Sequence, residues 1–464
     1  MDIDELLWAG ADAQAAALRD GSASAVELTE AVLRRIDAVD PTLNAFRTVY
    51  GDAARAAAAA AQRRIDAGER TPLLGVPVAI KDDLDVAGDF TGKGGRPQFP
   101  PAERDGPVVA RLRAAGAVVI GHTRTPDRCL WPFTETLAYG ATRNPWQLDH
   151  TPGGSSGGSA AAIAAGIVGV ATGSDGGGSV RIPSGACGVF GMKTSRGLID
   201  DGAGQDWHGL SVIGPLGRRV ADAAALLDVI AGGPVDPAGG YRAAVDADPG
   251  PLRVALSWWT PLGKPPRIEA ARRQAVLDTA DRLRALGHHV EPADPPLGPR
   301  PSPQFLVRYL RGVADDVAGL PHPEWLEPRT RRIARLGGTI PDRVLARARA
   351  AEAGLHKRMS AFFGDFDVLL QPGWTTRQPR VGRYHGSGTT STLAGVSLGI
   401  PYFPTWNVLG YPVAALPVGW DDAGLPIGVQ LIGPADAERR LLSLSGQYER
   451  AHPWADRRPD PVYG

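Results

Sequence analysis

The sequence predicts an α/β layered protein, and three observations carry that reading. Helix-like and strand-like runs alternate along most of the 464 residues, the chain is long enough for a deep core, and its most chemically suggestive residues follow strand-like runs. Such placement matters because strand ends are where layered α/β proteins gather their active sites.

Taken in order, Ser24 followed by Glu27 makes a capping box, and Val26, Val32, Leu33 and Ile36 recur at helical spacing until Pro41, which is expected to stop the run. Residues 52–66 are dominated by alanine and closed by Gly68, so residues 1–70 read as a helical lead-in. The core, 71–258, begins with the β-branched run Gly75 to Ile80, which delivers Lys81 at its end. A helix over Arg111 to Ala115 and a strand over Ala117 to Ile120 follow, and Ala160 to Thr172 reads as a buried helix-to-strand unit. Leu210 to Ile213 and Val254 to Trp258 read as strands, with helices over Val220 to Ala231 and Ile268 to Leu286. From about 260 to 363 the texture changes to proline-broken, arginine-rich helices, which reads as a helical insertion. The runs FDVLLQP, YPVAALPVGW and LPIGVQLIG then return the C-terminal part, 364–464, to strand character. No internal repeat is visible, which excludes a solenoid.

Composition narrows the partners. Lys plus Arg number 50 and Asp plus Glu also number 50, so the chain lacks the basic footprint of a nucleic-acid or anionic-membrane binder. A small molecule is the expected partner. Two cysteines, Cys129 and Cys187, cannot build a disulfide scaffold and suit the cytoplasm. The acidic start MDIDELL does not read as a secretory signal, and no stretch approaches the roughly 20 apolar residues of a membrane helix. His288 and His289 are adjacent, a spacing poor for joint ligation, so neither a metal nor a cofactor is expected. Nothing in the sequence chooses between a monomer and a homodimer.

Residues 151–188 carry the chemistry. Gly176, Gly177 and Gly178 precede Ser179, and consecutive residues without Cβ let backbone N–H groups converge beside a hydroxyl. That pattern describes an oxyanion hole of Gly176, Gly177, Gly178 and Ser179 around a serine nucleophile. A serine needs a base within reach. Neither His150 nor His208, the nearest histidines in sequence, is nominated by its turn-rich surroundings. Lys81 is the better candidate, because a lysine delivered by a strand into apolar company loses solvation and can serve as a neutral amine.

Lys81 in GVPVAIKD, Ser155 in GGSSGGS and Ser179 in SDGGGSVRIP resemble the three catalytic positions of the amidase signature family, and the match extends from about Val26 to Ala451. The resemblance implies one α/β/α domain spanning residues 1–464, with helices on both faces of a large mixed sheet. It implies that Ser179 attacks an amide carbonyl, and that Ser155, behind a cis Gly154–Ser155 peptide, relays protons to a neutral Lys81. It further implies that Ser156, Asp175 and Arg181 support this triad and that activity rises into mildly alkaline pH. The substrate would be a hydrophobic, linear or cyclic small-molecule amide, and the Asp175–Ser179 run resembles members that open aminohexanoate amides.

Some positions depart from the family. Gly176 stands where relatives often carry Ile or Thr, which implies a roomier hole, and Tyr411 stands where many have Leu. Pro126-Asp127-Arg128-Cys129 replaces a run that often reads Pro-Glu-Phe-Gly, with Cys129 a candidate for the substrate-pocket wall. Trp258, Trp259 and Trp325, near the insertion, are candidates for packing or for a hydrophobic cleft.

Other readings compete. Gly154 to Gly158 also fits the G-x-S-x-G nucleophile elbow with Ser156 as nucleophile, but that motif needs a preceding strand and NPWQLDHTP reads as a loop. The glycines could be plain tight turns, Lys81 a solvated strand-end charge, and Asp175 with Arg181 a purely structural ion pair. Cys187 reads as a core thiol. At the level of function, the rivals are the amidase component of a glutamine-dependent transamidation complex and a catalytically silent binding protein.

Overall fold

The computed structural model describes residues 2–202, 206–232, 239–261 and 267–460. The stretch 262–266, where the expected insertion begins, lies outside them. The strands are β1 (Phe46–Val49), β2 (Pro77–Lys81), β3 (Val118–Thr123), β4 (Glu135–Thr136), β5 (Gly140–Ala141), β6 (Val170–Asp175), β7 (Phe190–Lys193), β8 (Val212–Gly217), β9 (Arg253–Leu256), β10 (His289–Pro292), β11 (Val368–Pro372), β12 (Val413–Trp420) and β13 (Pro426–Ile432). Among the described residues, eleven of them form one sheet in the order β1-β3-β2-β6-β8-β7-β12-β13-β11-β9-β10, and β4 with β5 make a separate ribbon.

The sheet is mixed. Strands β3, β2 and β6 run parallel side by side, β6 through β11 pair antiparallel, and β11, β9 and β10 are parallel again. Because β2 and β6 are parallel neighbours, with Ala79 opposite Ala171, Lys81 at the end of one strand reaches the same sheet edge as Ser174 and Asp175 of the other. Helices flank the sheet, and every residue of β2, β3 and β6 is buried. These are the near-continuous apolar or small runs expected of strands covered on both faces.

The helix Gly157–Ala164 is buried throughout because its sequence, GGSAAAIA, keeps it thin. A Cβ at Gly158 would stand 2.5 Å from the Ala45 carbonyl oxygen and the Arg124 amide, so only glycine admits the backbone that close.

At the N-terminus, Ser24 caps the helix Ala25–Leu43 through the Glu27 amide at 3.1 Å. That helix continues two residues beyond Pro41, where a stop was expected. A proline so near the C-terminus removes a single intrahelical bond, and the end is instead set by Asn44 at φ 55° and by the Asp40 carboxylate, which accepts from the Ala45 amide at 2.7 Å.

The 260–363 region carries the helices Ala270–Ala285, Pro301–Ala318, Pro328–Gly338, Asp342–Ala350 and the larger part of Glu352–Asp365. It also contributes the edge strand β10, which the sequence reading lacks. Only Val290 of that strand is buried, so it shows no alternation. No helix among the described residues is long and apolar enough to cross a membrane.

The two ends of the chain meet over a pair of buried carboxyls. Asp222 accepts from the Asp12 and Arg219 amides at 2.9 and 2.8 Å, and Glu449 of the last helix accepts from the Val220 amide at 3.0 Å. Burial pushes both up to about 7, with the negative charge of Asp12 adding to Asp222 and that of Asp222 adding to Glu449. The folded chain therefore holds protons that the unfolded chain releases between the ordinary carboxylate range and about 7, and stability falls as pH rises through that window. Glu449→Gln keeps the acceptor for Val220 and removes one titrating group. Calorimetry across this range should show a wild-type Tm that declines with pH and a flatter profile for the variant; parallel profiles would remove Glu449 from the effect.

Candidate active site

The ends of β2 and β6 assemble the site. Lys81 is fully enclosed, its backbone amide fixed by Thr172 Oγ1 at 2.9 Å. Its Nζ donates to Ser155 Oγ at 2.9 Å and to Ser174 Oγ at 2.5 Å, with Asp83 Oδ2 3.2 Å away. Ser174 Oγ in turn donates to Asp83 Oδ2. The side chain is buried, and its tip sits among hydroxyls and a carboxylate. Ser174 and Asp83 are residues that sequence reasoning alone misses.

Ser155 follows a cis Gly154–Ser155 peptide. Its loop is joined to the Ser179 loop by the Ser156 amide, which donates to Ser179 O at 3.2 Å, while Ser156 Oγ points to Ser174 O at 3.4 Å. No strand leads directly into Ser156: β5 ends at Ala141, and the residues between are turns, isolated bridges and irregular backbone, so the elbow reading lacks its required strand.

The turn from β6 to Ser179 is held by one ion pair. Arg181 and Asp175 are both fully buried and 2.9 Å apart. The Asp175 carboxylate also takes the Gly178 amide at 2.7 Å, the Val180 amide at 3.1 Å and Asn407 Nδ2 at 2.8 Å. Burial would raise this carboxyl, but the charge and hydrogen bonds of Arg181, with Lys193 and Asn407, hold it well below the usual carboxylate range. Arg181 spends its remaining side-chain donors on Gln430 Oε1 and Asn407 Oδ1, both at 2.7 Å, and on Phe403 O at 3.1 Å. It is a clamp with no donor left for a substrate.

Two expectations change here. The Gly178 amide, expected among the donors of an oxyanion hole, is committed to Asp175. The space beside Gly176 is filled by Trp207, whose indole a Cβ there would meet at 2.8 Å, so the glycine does not make the hole roomier.

Two cavities meet at Ser179. A mixed one of about 810 Å³ is bordered by Ser155, Ser174, Gly176, Asp83, Arg128 and Asp316 but also by Leu84, Phe99, Val108, Ile213 and Leu320 among others. An apolar one of about 320 Å³ is bordered by Gly177, Leu130, Trp131, Ile182, Phe305 and Tyr309 among others. Ser179, Cys129 and Trp207 border both.

Cys129 therefore lies on the pocket wall, as the sequence suggests. Its φ of 60°, next to 53° at Arg128, is the left-handed conformation that a glycine adopts freely, which suits a place where the family resemblance often puts the glycine of Pro-Glu-Phe-Gly. The turn is tied to the helix Pro301–Ala318 by the Arg128–Asp316 ion pair. Burial pushes the Cys129 thiol up to about 11, against the pull of Lys81, which keeps it protonated at neutral pH.

The tryptophans at the cavities are Trp131 and Trp207, not the ones near the insertion. Trp258 lies under Arg273, and Trp325 stacks on His322 with ring centroids 4.0 Å apart. Tyr411 turns its hydroxyl to His356 at 3.1 Å and borders neither cavity. His150 and His208 also stay outside both, bonded to Asp149 and Asp315 at 2.7 and 2.9 Å. Cys187 is a buried core thiol.

Removing half of a fully buried pair strands the other charge. Asp175→Ala should therefore destabilise the fold by about 3–5 kcal/mol, read as a fall in the denaturant midpoint. A change under about 1 kcal/mol, the worth of an exposed pair, would show that Arg181 finds another partner.

Comparison with known proteins agrees with this architecture. The amidase family model matches residues 27–442. A Mycobacterium tuberculosis (strain ATCC 25618 / H37Rv) protein named "Putative amidase AmiB2" is 50% identical over 99% of both chains, and a glutamyl-tRNA(Gln) amidotransferase component from Roseiflexus sp. (strain RS-1) is 36% identical over 97% of both. Among solved structures, 6-aminohexanoate cyclic dimer hydrolase with its substrate superposes with a TM-score of 0.88 at 31% identity, over 98% of this chain and 99% of that one. A bacterial aryl acylamidase of the amidase signature family superposes at 0.85 with 26% identity, over 97% of both. With a family match over most of its length and a half-identical relative along nearly all of it, the chain belongs to the amidase signature family and is a hydrolase of amide C–N bonds.

Proposed function

We propose that this chain is a stand-alone amidohydrolase of one catalytic domain, working in the cytoplasm on a small-molecule amide through an acyl-Ser179 intermediate. The observation that carries the reading is Lys81 Nζ, enclosed and 2.9 Å from the Oγ of Ser155, which borders a cavity that Ser179 also borders. The mechanism needs the Lys81 amine in its neutral form, with Ser174 Oγ and Asp83 Oδ2 placed to take its two N–H bonds and the 2.9 Å contact with Ser155 Oγ running in the opposite sense, hydroxyl to amine.

In this mechanism Ser179 Oγ attacks the carbonyl carbon while its proton passes through Ser155 to Lys81. The Gly176, Gly177 and Ser179 amides stabilise the oxyanion. The C–N bond breaks as Ser155 returns the proton to the leaving amine, and water then cleaves the ester by the same relay in reverse. Asp175 and Arg181 fix the turn that carries the nucleophile.

The 36% identity to an amidotransferase component keeps a second reading in view, in which the core releases ammonia for a partner protein. The purified chain, assayed without partners on aryl, alkyl and aminoacyl amides by mass spectrometry, should hydrolyse some of them and react with a fluorophosphonate at Ser179. Labelling with no hydrolysis until a partner is added would favour the transamidation reading. Absence of labelling would point to a silent binding protein.

A further inference from the structure

The two cavities differ in chemistry, and the proton path decides which half of the substrate enters each. A planar amide carbon carries an oxygen, an acyl chain and a nitrogen. With the oxygen at the Gly176 and Gly177 amides, which straddle the partition, the other two substituents must diverge into the two cavities. On the acyl-Ser179 reading, on which this inference rests, the nitrogen must sit within hydrogen-bond reach of Ser155, the group that returns its proton. Ser155 borders the mixed, charge-bearing cavity and not the apolar one.

We infer that the substrate is an amide of an apolar, aryl-sized or medium-chain carboxylic acid with a hydrophilic amine, its acyl group held between Trp131, Ile182, Phe305 and Tyr309 and its amine facing Asp83, Asp85, Lys93 and Arg104.

The acyl side is a built slot. Phe305 and Tyr309, one turn apart on the helix Pro301–Ala318, stack with centroids 5.6 Å apart, and Trp207 closes edge-on against Tyr309 at 5.3 Å. Phe305 reaches the nucleophile's own turn, since a Cβ on Gly177 would meet its ring at 3.0 Å. An acyl group beginning at Ser179 therefore meets an aromatic wall within its first few atoms, where burial of each methylene is worth about 0.8 kcal/mol.

The amine side is mixed: Leu84, Phe99, Val108 and Ile213 line part of it, but only here do charges of both signs and the Ser174 and Ser211 hydroxyls border the space, with Arg128 and Lys93 drawn to Asp316. An apolar amine that covered the charged groups would have to desolvate them without replacing their hydrogen bonds, an unfavourable exchange. The helical insertion thus sets acyl selectivity through Phe305 and Tyr309, and the loops after β2 set amine selectivity.

The test uses two constitutional isomers that differ only in amide direction: the 3-phenylpropanoyl amide of 2-aminoethanol, and the 3-hydroxypropanoyl amide of 2-phenylethylamine. The first should show kcat/KM on the order of tenfold or more above the second, the factor that 1.4 kcal/mol of differential binding gives. Phe305→Ala and, independently, Val396→Trp, which fills the slot, should each narrow that ratio, with fluorophosphonate labelling of Ser179 reporting that the variant is folded. Equal rates, or preference for the second isomer, would overturn the orientation while leaving the acyl-serine reading intact. If neither isomer turns over, the aldehyde 3-phenylpropanal, which can present its chain only as an acyl group, should slow Ser179 labelling more than 3-hydroxypropanal; equal protection would overturn the inference. Loss of both labelling and hydrolysis for every amide would instead sink the proposed function beneath it.

Discussion

Ser179→Ala is expected to abolish amide turnover and fluorophosphonate labelling while leaving Tm near wild type. The substitution removes the proposed nucleophile and places no polar group in the core, so it invokes none of the mechanisms that destabilise folds strongly. The turn itself should persist, because the Asp175–Arg181 pair and the bonds from the Gly178 and Val180 amides to Asp175 do not involve the Ser179 side chain. Mass spectrometry of the probe-treated protein checks the claim directly. Labelling that moved to Ser156 would restore the elbow mechanism, and undiminished turnover would remove Ser179 from the chemistry.

The sequence made the central elements legible where one residue type repeated with a clear period. Val78 and Ile80 announce β2, the alanines of 52–66 announce a helix, and the runs around Val413 and Val429 announce the β12–β13 pair. It concealed strands whose pairing is decided at long range. β1 has one buried residue, Phe46, and exists because Tyr50 N and the Thr48 and Val49 positions meet β3. β7, only four residues long, is wedged between β8 and β12, and its sequence, Phe-Gly-Met-Lys, shows neither alternation nor β-branching.

The candidate site was legible through glycine. Only where the chain approaches itself closely does it need runs such as 153–158 and 176–178, and those runs marked Ser155 and Ser179. Ser174 and Asp83 carry no such mark. A serine inside a strand and a second aspartate after Lys81 become neighbours only when β2 and β6 pair in parallel. Asn407 and Gln430 reach Arg181 from more than 200 residues away, so no local pattern could nominate them. The signal that could have found Trp207 was the glycine at 176 itself: a missing side chain beside a cavity wall implies that something else occupies its place.

Ser155→Ala is the second large effect expected, and it separates this proposal from an ordinary serine hydrolase. The change leaves Ser179 and the Gly176 and Gly177 amides in place. Lys81 Nζ keeps Ser174 Oγ and Asp83 Oδ2 as partners, so the lysine should stay where it is while the path from it is cut. Turnover of amides should fall by roughly 100-fold or more, since positioned acid–base catalysis is worth about 10² to 10⁴. For a matched ester the loss should be smaller, because an alkoxide leaves with less help from a proton than an amine does. The measurement is kcat/KM for an amide and an ester of the same acid on both proteins. An equal loss on both substrates would mean that Ser155 acts mainly in activating Ser179 or in holding the loop, and an unchanged amide rate would leave Lys81 without a route to the reacting atoms.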